Sequence, residues 1–311
     1  MAKIDDVAGL IRAIGERDYA KAKRYGTVMV ANERGAGREK AAIQLERSLQ
    51  TWGAENSKLV ELPQAIKSMI YNPDKLNDLS EIWLSGDVKN AVDGFVIERQ
   101  KTSVIRDARL AVRNRILLAG PPGNGKTTLA GAISNELNLP FYVLNLAEIV
   151  SSYMGKTSGN IGKIFEYAFL NQCVLFLDEL DAIGKSRASG TDGSIREYSL
   201  IVNTLLTSLD RLPDTAVVIG ATNLPDLLDP AIIRRFNLRL WLDNPSATEI
   251  ENYVTVYMDT HSICFNRDFK QLIGQPWSKI EEYCIEQHRN LIIGKSGIGT
   301  TGWIGKPSNQ P

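Results

Sequence analysis

The 311-residue chain contains little cysteine and histidine, and neither is arranged for a disulfide framework or a zinc site. The cysteines, Cys173, Cys264 and Cys284, are odd in number and far apart, and only His261 and His288 could supply imidazole ligands. Basic and acidic residues balance, so the formal net charge is zero. Such a chain has no overall field that attracts nucleic acid, and we expect no nucleic-acid partner.

The chain also lacks an uninterrupted apolar run that could cross a bilayer, and its first ten residues lack the apolar core of a signal peptide. No His-Glu-x-x-His stretch is present, which argues against a fused zinc protease. We therefore expect a cytoplasmic protein with no membrane partner. The apolar content of 43% and the charged content of 23% are ordinary for a soluble globular protein.

The most informative segment is Gly-Pro-Pro-Gly-Asn-Gly-Lys-Thr at positions 120–127, which fits the phosphate-binding loop pattern G-x-x-x-x-G-K-S/T. A strand-like run, 115–119, precedes it, and a helical run, 128–133, follows it. This order suits the motif, because glycines let backbone N–H groups face a phosphate and the helix N-terminus adds partial positive charge. The predicted nucleotide-binding residues of the loop are Gly120, Pro121, Pro122, Gly123, Asn124, Gly125, Lys126, Thr127 and Thr128.

Strand-like and helical runs alternate from about residue 81, which predicts an α/β fold with a parallel sheet between helices. The predicted strands are 115–119, 141–145, 174–177, 217–221 and 238–242. The predicted helices are 92–115, 127–137, 161–171, 198–209, 248–257 and 277–287. Residues 1–80 are predicted to be helical, with helical spacing reaching Ile70. We interpret the basic cluster Arg34, Arg38 and Lys40 as a solvated face, with a phosphate or partner contact as the alternative.

Polar residues follow two of these strands directly. Asp178 and Glu179 follow one, and we expect Asp178 to face Mg²⁺ through a water while Glu179 deprotonates an attacking water. For Asp181 we favour a structural or edge role. Asn223 follows the 217–221 strand, where its amide can hold that water or contact the γ-phosphate. A turn-forming asparagine before Leu224-Pro225 is an equally good interpretation of that strand by itself.

Two further segments carry candidate residues with open alternatives. Arg234 and Arg235 are either ordinary surface charge at a helix end or groups that reach the γ-phosphate of a neighbouring subunit. Tyr153 and Met154 lie in a loop with Gly155, which suits either a binding role or a buried loop anchor.

Taken together, these segments resemble the AAA+ ATPases, in the AAA subfamily that includes katanin and spastin. GPPGNGKTTLA is similar to the Walker A box of the P-loop, VLFLDELDAI to the Walker B box, and GATN at 220–223 to the sensor-1 segment. LDPAIIRRF is similar to the arginine-finger segment, and SSYMGKTSGNI at 151–161 to the first pore loop. The motifs occur in the family's order, and the resemblance covers about residues 85–290.

The resemblance implies a Mg²⁺-dependent ATPase that assembles into a ring, usually a hexamer, and remodels or unfolds a protein client. It implies that Lys126, Thr127 and Asp178 hold the triphosphate and Mg²⁺ and that Glu179 is the catalytic base. Asn223 would be sensor 1, and Arg234 and Arg235 would act on the adjacent protomer. Tyr153, Met154 and Gly155 would line a central pore.

The resemblance also suggests a domain organisation. We expect a helical adaptor domain over 1–80, similar to those of stand-alone bacterial AAA proteins, and a large α/β ATPase domain over 81–245. A small helical lid over 246–293 and a flexible tail over 294–311 follow. The lid departs from the family, since Gly-Gln-Pro-Trp-Ser-Lys at 274–279 stands where relatives carry a Ser-Gly-Ala/Ser-Asp turn.

Two other functions stay open on the sequence. The chain could be an ATP-dependent assembly switch that controls a separately encoded effector, such as a protease or nuclease in a bacterial defence or toxin module. A DNA-dependent ATPase is a weaker alternative, because the neutral net charge and the aromatic loop at Tyr153 argue against it.

Overall fold

The structure is a computed structural model that describes residues 4–15, 19–46, 69–73, 76–152, 157–183, 192–265 and 269–294. The contacts of the chain divide it into two compact units, Met1–Leu62 and Pro63–Pro311. Within the described residues, no helix combines the length and the apolar character that a bilayer crossing requires.

The N-terminal unit is helical where it is described, as predicted. Helices α1 (Ile4–Gly15) and α2 (Tyr19–Gly35) pack together, and 39–46 is also helical. The chain turns between the last two at Gly37, where φ is +72°. Arg34 pairs with Glu46 at 2.6 Å, and Arg38 pairs with Glu33 at 2.5 Å. These glutamates neutralise both arginines, which supports the interpretation as a solvated face.

The second unit is built on a six-stranded sheet, which confirms the predicted α/β class. Its order is β1-β3-β4-β5-β2-β6, with β1 antiparallel to β3 and all other pairs parallel. The strands are β1 Ile70–Tyr71, β2 Arg115–Ala119, β3 Phe141–Asn145, β4 Val174–Asp178, β5 Val217–Thr222 and β6 Leu238–Trp241. The central strands are apolar on both faces, as expected where helices cover a parallel sheet.

The register of the sheet brings the ends of β4, β5 and β2 to one edge. Ala119 lies opposite Thr222, and Leu177 lies opposite Gly220. The segments that follow these strands begin at Gly120, Glu179 and Asn223. Since β5 lies between β4 and β2, Asn223 comes between the acidic pair and the phosphate-binding loop. Ligands of open α/β sheets bind at this carboxyl edge.

Helices of the second unit confirm most predicted segments. They are α3 Gly86–Gln100, α4 Thr102–Asp107, α5 Lys126–Glu136, α6 Leu146–Ser152, α7 Thr157–Leu170, α8 Asp192–Arg211, α9 Pro230–Arg235, α10 Ala247–His261 and α11 Trp277–Ile292. The last two bury a cluster of their own, which includes Ile250, Val254, Ile280 and Cys284.

The predicted single helix over 92–115 is wrong. Instead α3 ends at Gln100, α4 is short, and the chain is not helical from Ala108 to β2. Glu98 accepts a hydrogen bond from the backbone N–H of Arg113 at 2.7 Å and from its guanidinium, so the chain folds back beside α3. The partly buried Arg99 reaches the carbonyl of Asp214 at 2.5 Å. These contacts link residues far apart in sequence, and helical periodicity carries no signal of them.

The helical prediction at Ile70 is also wrong, because Ile70 and Tyr71 form strand β1 at the sheet edge. Leu76 and Leu79 pack against the apolar core of this sheet, so residues that the sequence assigned to the adaptor domain contact the α/β core. A two-residue strand is too short to show a period, and the β3 edge supplies its hydrogen bonds. The domain boundaries stay predictions, and the tail over 295–311 lies outside the described residues.

Candidate nucleotide-binding site

The phosphate-binding loop is shaped by glycines in backbone conformations that other residues avoid. Gly120, Gly123 and Gly125 have φ values of +142°, +83° and +75°. A Cβ atom on Gly120 would lie 2.1 Å from the backbone oxygen of Leu242, so a side chain has no room there. No described residue accepts a hydrogen bond from the backbone N–H of Gly123, Asn124 or Gly125. Successive free N–H groups in such a turn form a concavity that binds anions.

Lys126 opens α5 and folds back over the loop. Its ammonium donates to the carbonyl of Gly120 at 2.7 Å and to that of Pro121 at 2.9 Å, and the residue is only 9% exposed. Burial lowers the pKa of Lys126, while the nearby carboxylates of Asp178 and Asp181 act in the opposite direction. The loop therefore holds a largely buried cation beside these N–H groups.

Thr127 and Asp178 meet across the site. The Thr127 hydroxyl lies near enough to the Asp178 carboxylate, at the end of β4, to lower the pKa of that acid. Burial raises the pKa of Asp178, and the Glu179 N–H, the Lys126 charge and the Thr127 hydroxyl oppose that shift. A hydroxyl and a carboxylate close to each other are hard oxygen ligands, which suit Mg²⁺. These two residues therefore fit the cation that the sequence predicts.

Glu179 has an unusual backbone conformation, with φ at +54°. Non-glycine residues adopt it at a cost of about 1–2 kcal/mol, and such strain is often found at functional sites. The Glu179 N–H donates to Asp178 Oδ1 at 2.9 Å, and the next N–H, of Leu180, donates to Ala221 of β5 at 2.9 Å. The turn therefore ends β4 sharply, and the Glu179 side chain is exposed at the carboxyl edge of the sheet.

Asp181 has the structural role that we favour. It is 2% exposed, and its Oδ1 accepts hydrogen bonds from the Thr222 hydroxyl at 3.1 Å and from the Asn223 N–H at 3.2 Å. The carboxylate thereby ties the turn after β4 to the end of β5. Asn223 Oδ1 is buried, and no described residue donates a hydrogen bond to it. An unsatisfied buried amide oxygen costs about 1–3 kcal/mol, so this atom suits a hydrogen-bond donor brought by a ligand or water.

The two arginines of α9 have different surroundings. Arg235 makes a two-point contact with Asp210 of α8, at 3.1 and 3.2 Å, and donates to the Ala231 carbonyl at 3.2 Å. Arg234 is exposed, and no ion pair joins it to any residue in the part of the chain that the structure describes. The structure therefore does not bring Arg234 into contact with the loop of its own chain.

Some functional contacts were missed from the sequence. Asn124 is 3% exposed and bonds to Asn244 at 2.9 Å and to the backbone N–H of Trp277 at 3.1 Å. The Ser278 N–H donates to the Gly123 carbonyl at 3.0 Å. The 274–279 turn that departs from the family pattern thus contacts the phosphate-binding loop. No sequence signal marks these contacts beyond the Gly and Pro of the turn. The predicted pore-loop residues Tyr153, Met154 and Gly155 lie outside the described residues.

Comparisons with known proteins agree with this geometry. The family model described as "ATPase family associated with various cellular activities (AAA)" matches residues 116–244. The chain is similar to the uncharacterized AAA family ATPase y4kL of Sinorhizobium fredii, 35% identical over 237 residues that cover 76% of this chain and 71% of that protein. It is also similar to the ATP-dependent zinc metalloprotease FtsH 3 of Phytoplasma mali, 36% identical over 53% of this chain but only 28% of that protein.

Proposed function

The chain belongs to the AAA family of ATPases and hydrolyses ATP, and we propose that it is a ring-forming motor that uses hydrolysis to remodel or unfold proteins. One observation supports the hydrolysis on which this proposal depends: the loop N–H groups, Lys126, Thr127, Asp178 and Glu179 lie at one edge of the sheet. Triphosphate recognition and water activation need these groups together. A cytoplasmic location stays part of this proposal.

We assign each group one step. The loop N–H groups and Lys126 bind the β- and γ-phosphates, while Glu179 orients the attacking water and takes its proton. Asn223 donates to or accepts from that water through its buried amide. Thr127 and Asp178 would hold Mg²⁺, with Asp178 acting through a bound water. The cation, when bound, supplies positive charge that stabilises the charge developing on the phosphates.

A further positive charge at the γ-phosphate would come from a second copy of the chain. Arg234 is exposed and unpaired among the described residues, which supports its delivery to the nucleotide of a neighbour, with Arg235 beside it. ATP would then favour the closed interface, since Arg234 contacts the γ-phosphate across it. Hydrolysis removes that contact and loosens the interface, so the nucleotide shifts the population between two ring states.

The Glu179→Gln variant tests this function directly. It keeps the size of the side chain but removes the base, so hydrolysis should fall by about 10²–10⁴-fold while ATP still binds. Particle images of the variant with MgATP should show a closed ring, and calorimetry should show ATP binding. Normal turnover by this variant would contradict the assignment of Glu179.

Remodelling through a central pore rests on the Tyr153 loop. We expect Tyr153→Ala to retain basal ATP hydrolysis and to lose the unfolding of a tagged client protein. Phe at the same position is the matched control, since it keeps the aromatic ring. Equal unfolding by the Ala variant would exclude a gripping role for Tyr153.

The second candidate function is an assembly switch for a separate effector. The compact Met1–Leu62 unit favours it, since a helical unit with its own contacts suits a partner-binding role. Affinity capture with the full chain in MgATP distinguishes the two functions. One stoichiometric protein favours the switch, whereas many unfolded clients favour the motor.

A further inference from the structure

The start of helix α11 is capped by the phosphate-binding loop. The first N–H groups of a helix have no partner inside it and need one from outside. The N-cap residue here is Pro276, and no side-chain cap is formed. The Trp277 N–H instead donates to Asn124 Oδ1 at 3.1 Å, and the Ser278 N–H donates to the Gly123 carbonyl at 3.0 Å. The loop thus supplies the cap that the helix lacks.

Hydrogen bonds fix the Asn124 side chain in the position where it caps α11. Its amide nitrogen donates to Asn244 Oδ1 at 2.9 Å and to the Leu242 carbonyl at 3.3 Å. Asn244 in turn donates to the Gly274 carbonyl at 2.8 Å, just before α11. Because Asn124 is 3% exposed and both polar atoms of its amide are bonded, its side chain cannot turn without losing contacts.

The same peptide units face both the helix and the phosphate concavity. The Gly123 carbonyl accepts from Ser278, and the Asn124 N–H belongs to the same peptide unit and has no described acceptor. In a trans peptide the N–H and C=O point in opposite directions. An anion on the N–H polarises the carbonyl and strengthens the bond that it accepts.

We propose that Asn124 is a positioning residue that links nucleotide occupancy of the loop to the position of α11. The inference rests on the proposed function, because it requires a phosphate at the loop N–H groups. A bound nucleotide orders the loop, and Gly123 and Asn124 then hold the start of α11 more firmly. By linkage, whatever holds α11 in place increases the affinity for nucleotide by the same factor.

Hydrogen exchange of the Trp277 and Ser278 amides measures this link. We expect saturating MgADP to slow exchange of these amides by about fivefold or more, the lower range of typical coupling between sites. The slowing should exceed that of the Ile250 and Val254 amides in α10, which report general stabilisation by the ligand. In Asn124→Ala, at concentrations that saturate the variant, the excess at Trp277 should be lost, whereas Ser278, whose acceptor is the Gly123 carbonyl, should retain part of it.

Two further variants keep the test decisive. Asn135→Ala is the matched control, because it removes an asparagine of α5 that bonds to Asp78 at 2.9 Å, and it should retain the full nucleotide effect. Asn244→Ala removes the clamp on Asn124 and should lose part of the effect, even if Asn124→Ala does not fold. An equal nucleotide effect in the parent, Asn124→Ala and Asn244→Ala would overturn the link. Absence of MgADP and MgATP binding to the folded parent would instead overturn the proposed function.

Discussion

The phosphate-binding loop and the arginine pair of α9, which we propose to be two halves of one site, differ in how the chain surrounds them. In the loop half, Lys126 and Asn124 are buried, and Gly120 and Gly123 lie against other parts of the same chain. In the arginine half, Arg235 is engaged by Asp210 at the surface and Arg234 is exposed. One half is complete within a single chain. The other presents a charge with no described partner, as expected of a group whose partner is another copy.

Replacing Arg234 should give the largest effect, because it removes the charge that the loop half cannot supply itself. We expect Arg234→Ala to lower kcat for ATP by about 10³–10⁵-fold, the range for a guanidinium in phosphoryl transfer. Steady-state phosphate release measures it. Arg234→Lys is the control, since it keeps the charge but loses the planar fork, and it should restore only part of the rate.

A mixing experiment sharpens the same contrast. Arg234→Ala and Glu179→Gln should each be nearly inactive alone. Mixed, they form interfaces in which an intact Glu179 meets an intact Arg234, so part of the activity should return. Absence of recovery at every mixing ratio would place the whole site in one chain.

In the loop half, a side chain added at a glycine with positive φ should lower the stability of the fold. Gly120→Ala should lower the free energy of unfolding by about 3 kcal/mol, because the added Cβ would lie 2.1 Å from the Leu242 oxygen. Urea unfolding of the ligand-free protein measures it. Gly125→Ala is matched in its positive φ, but its Cβ meets nothing within 4 Å, so about 1–2 kcal/mol is expected. Equal losses would show that the Leu242 contact is unimportant.

The stability contributed by Asp178, the partly buried acid of the loop half, should depend on pH in a defined direction. Because burial raises the pKa of Asp178, its charged form destabilises the ligand-free fold, and this cost is greatest at neutral pH. Asp178→Asn should therefore raise the unfolding temperature at pH 7.5. The gain should shrink as the pH falls through the raised pKa of Asp178 and vanish below its unfolded pKa of about 3.9.

Asp214 provides a control of opposite sign. The hydrogen bond from Arg106 lowers the pKa of Asp214, so its charged form stabilises the fold above its unfolded pKa. Asp214→Asn should lower the unfolding temperature at pH 7.5, and the loss should shrink as the pH falls through the lowered pKa of Asp214. Shifts of the same sign for both variants would contradict the assignment of a burial cost to Asp178.

The smallest effect is expected at the surface of the arginine half. Asp210→Asn removes the ion pair with Arg235, whose two side chains are 50% and 33% exposed. Exposed pairs contribute about 0–1 kcal/mol, so the free energy of unfolding should change by no more than that. A loss as large as that of Gly120→Ala would mean that the pair is a structural element rather than a surface contact.

Much of the loop half could be predicted from the sequence. The loop pattern, the strand before it and the acids after β4 are local features, and each residue type suits its chemistry without knowledge of the fold. In the arginine half, the sequence identified Arg234 and Arg235 as candidates but could not tell which of them is paired within its own chain, since they are adjacent and chemically identical. Only the position of Asp210 on α8 distinguishes them.

By itself, the sequence determined the α/β class, the five main strands and the groups that meet at their carboxyl edge, because periodicity and short motifs are encoded by neighbouring residues. The tertiary structure alone decided the β1 edge strand, the break after α3, the partners of Asp181 and the cap that Asn124 provides to α11. Each of these depends on hydrogen bonds between residues far apart in the chain, and such partners are chosen by packing rather than by local pattern.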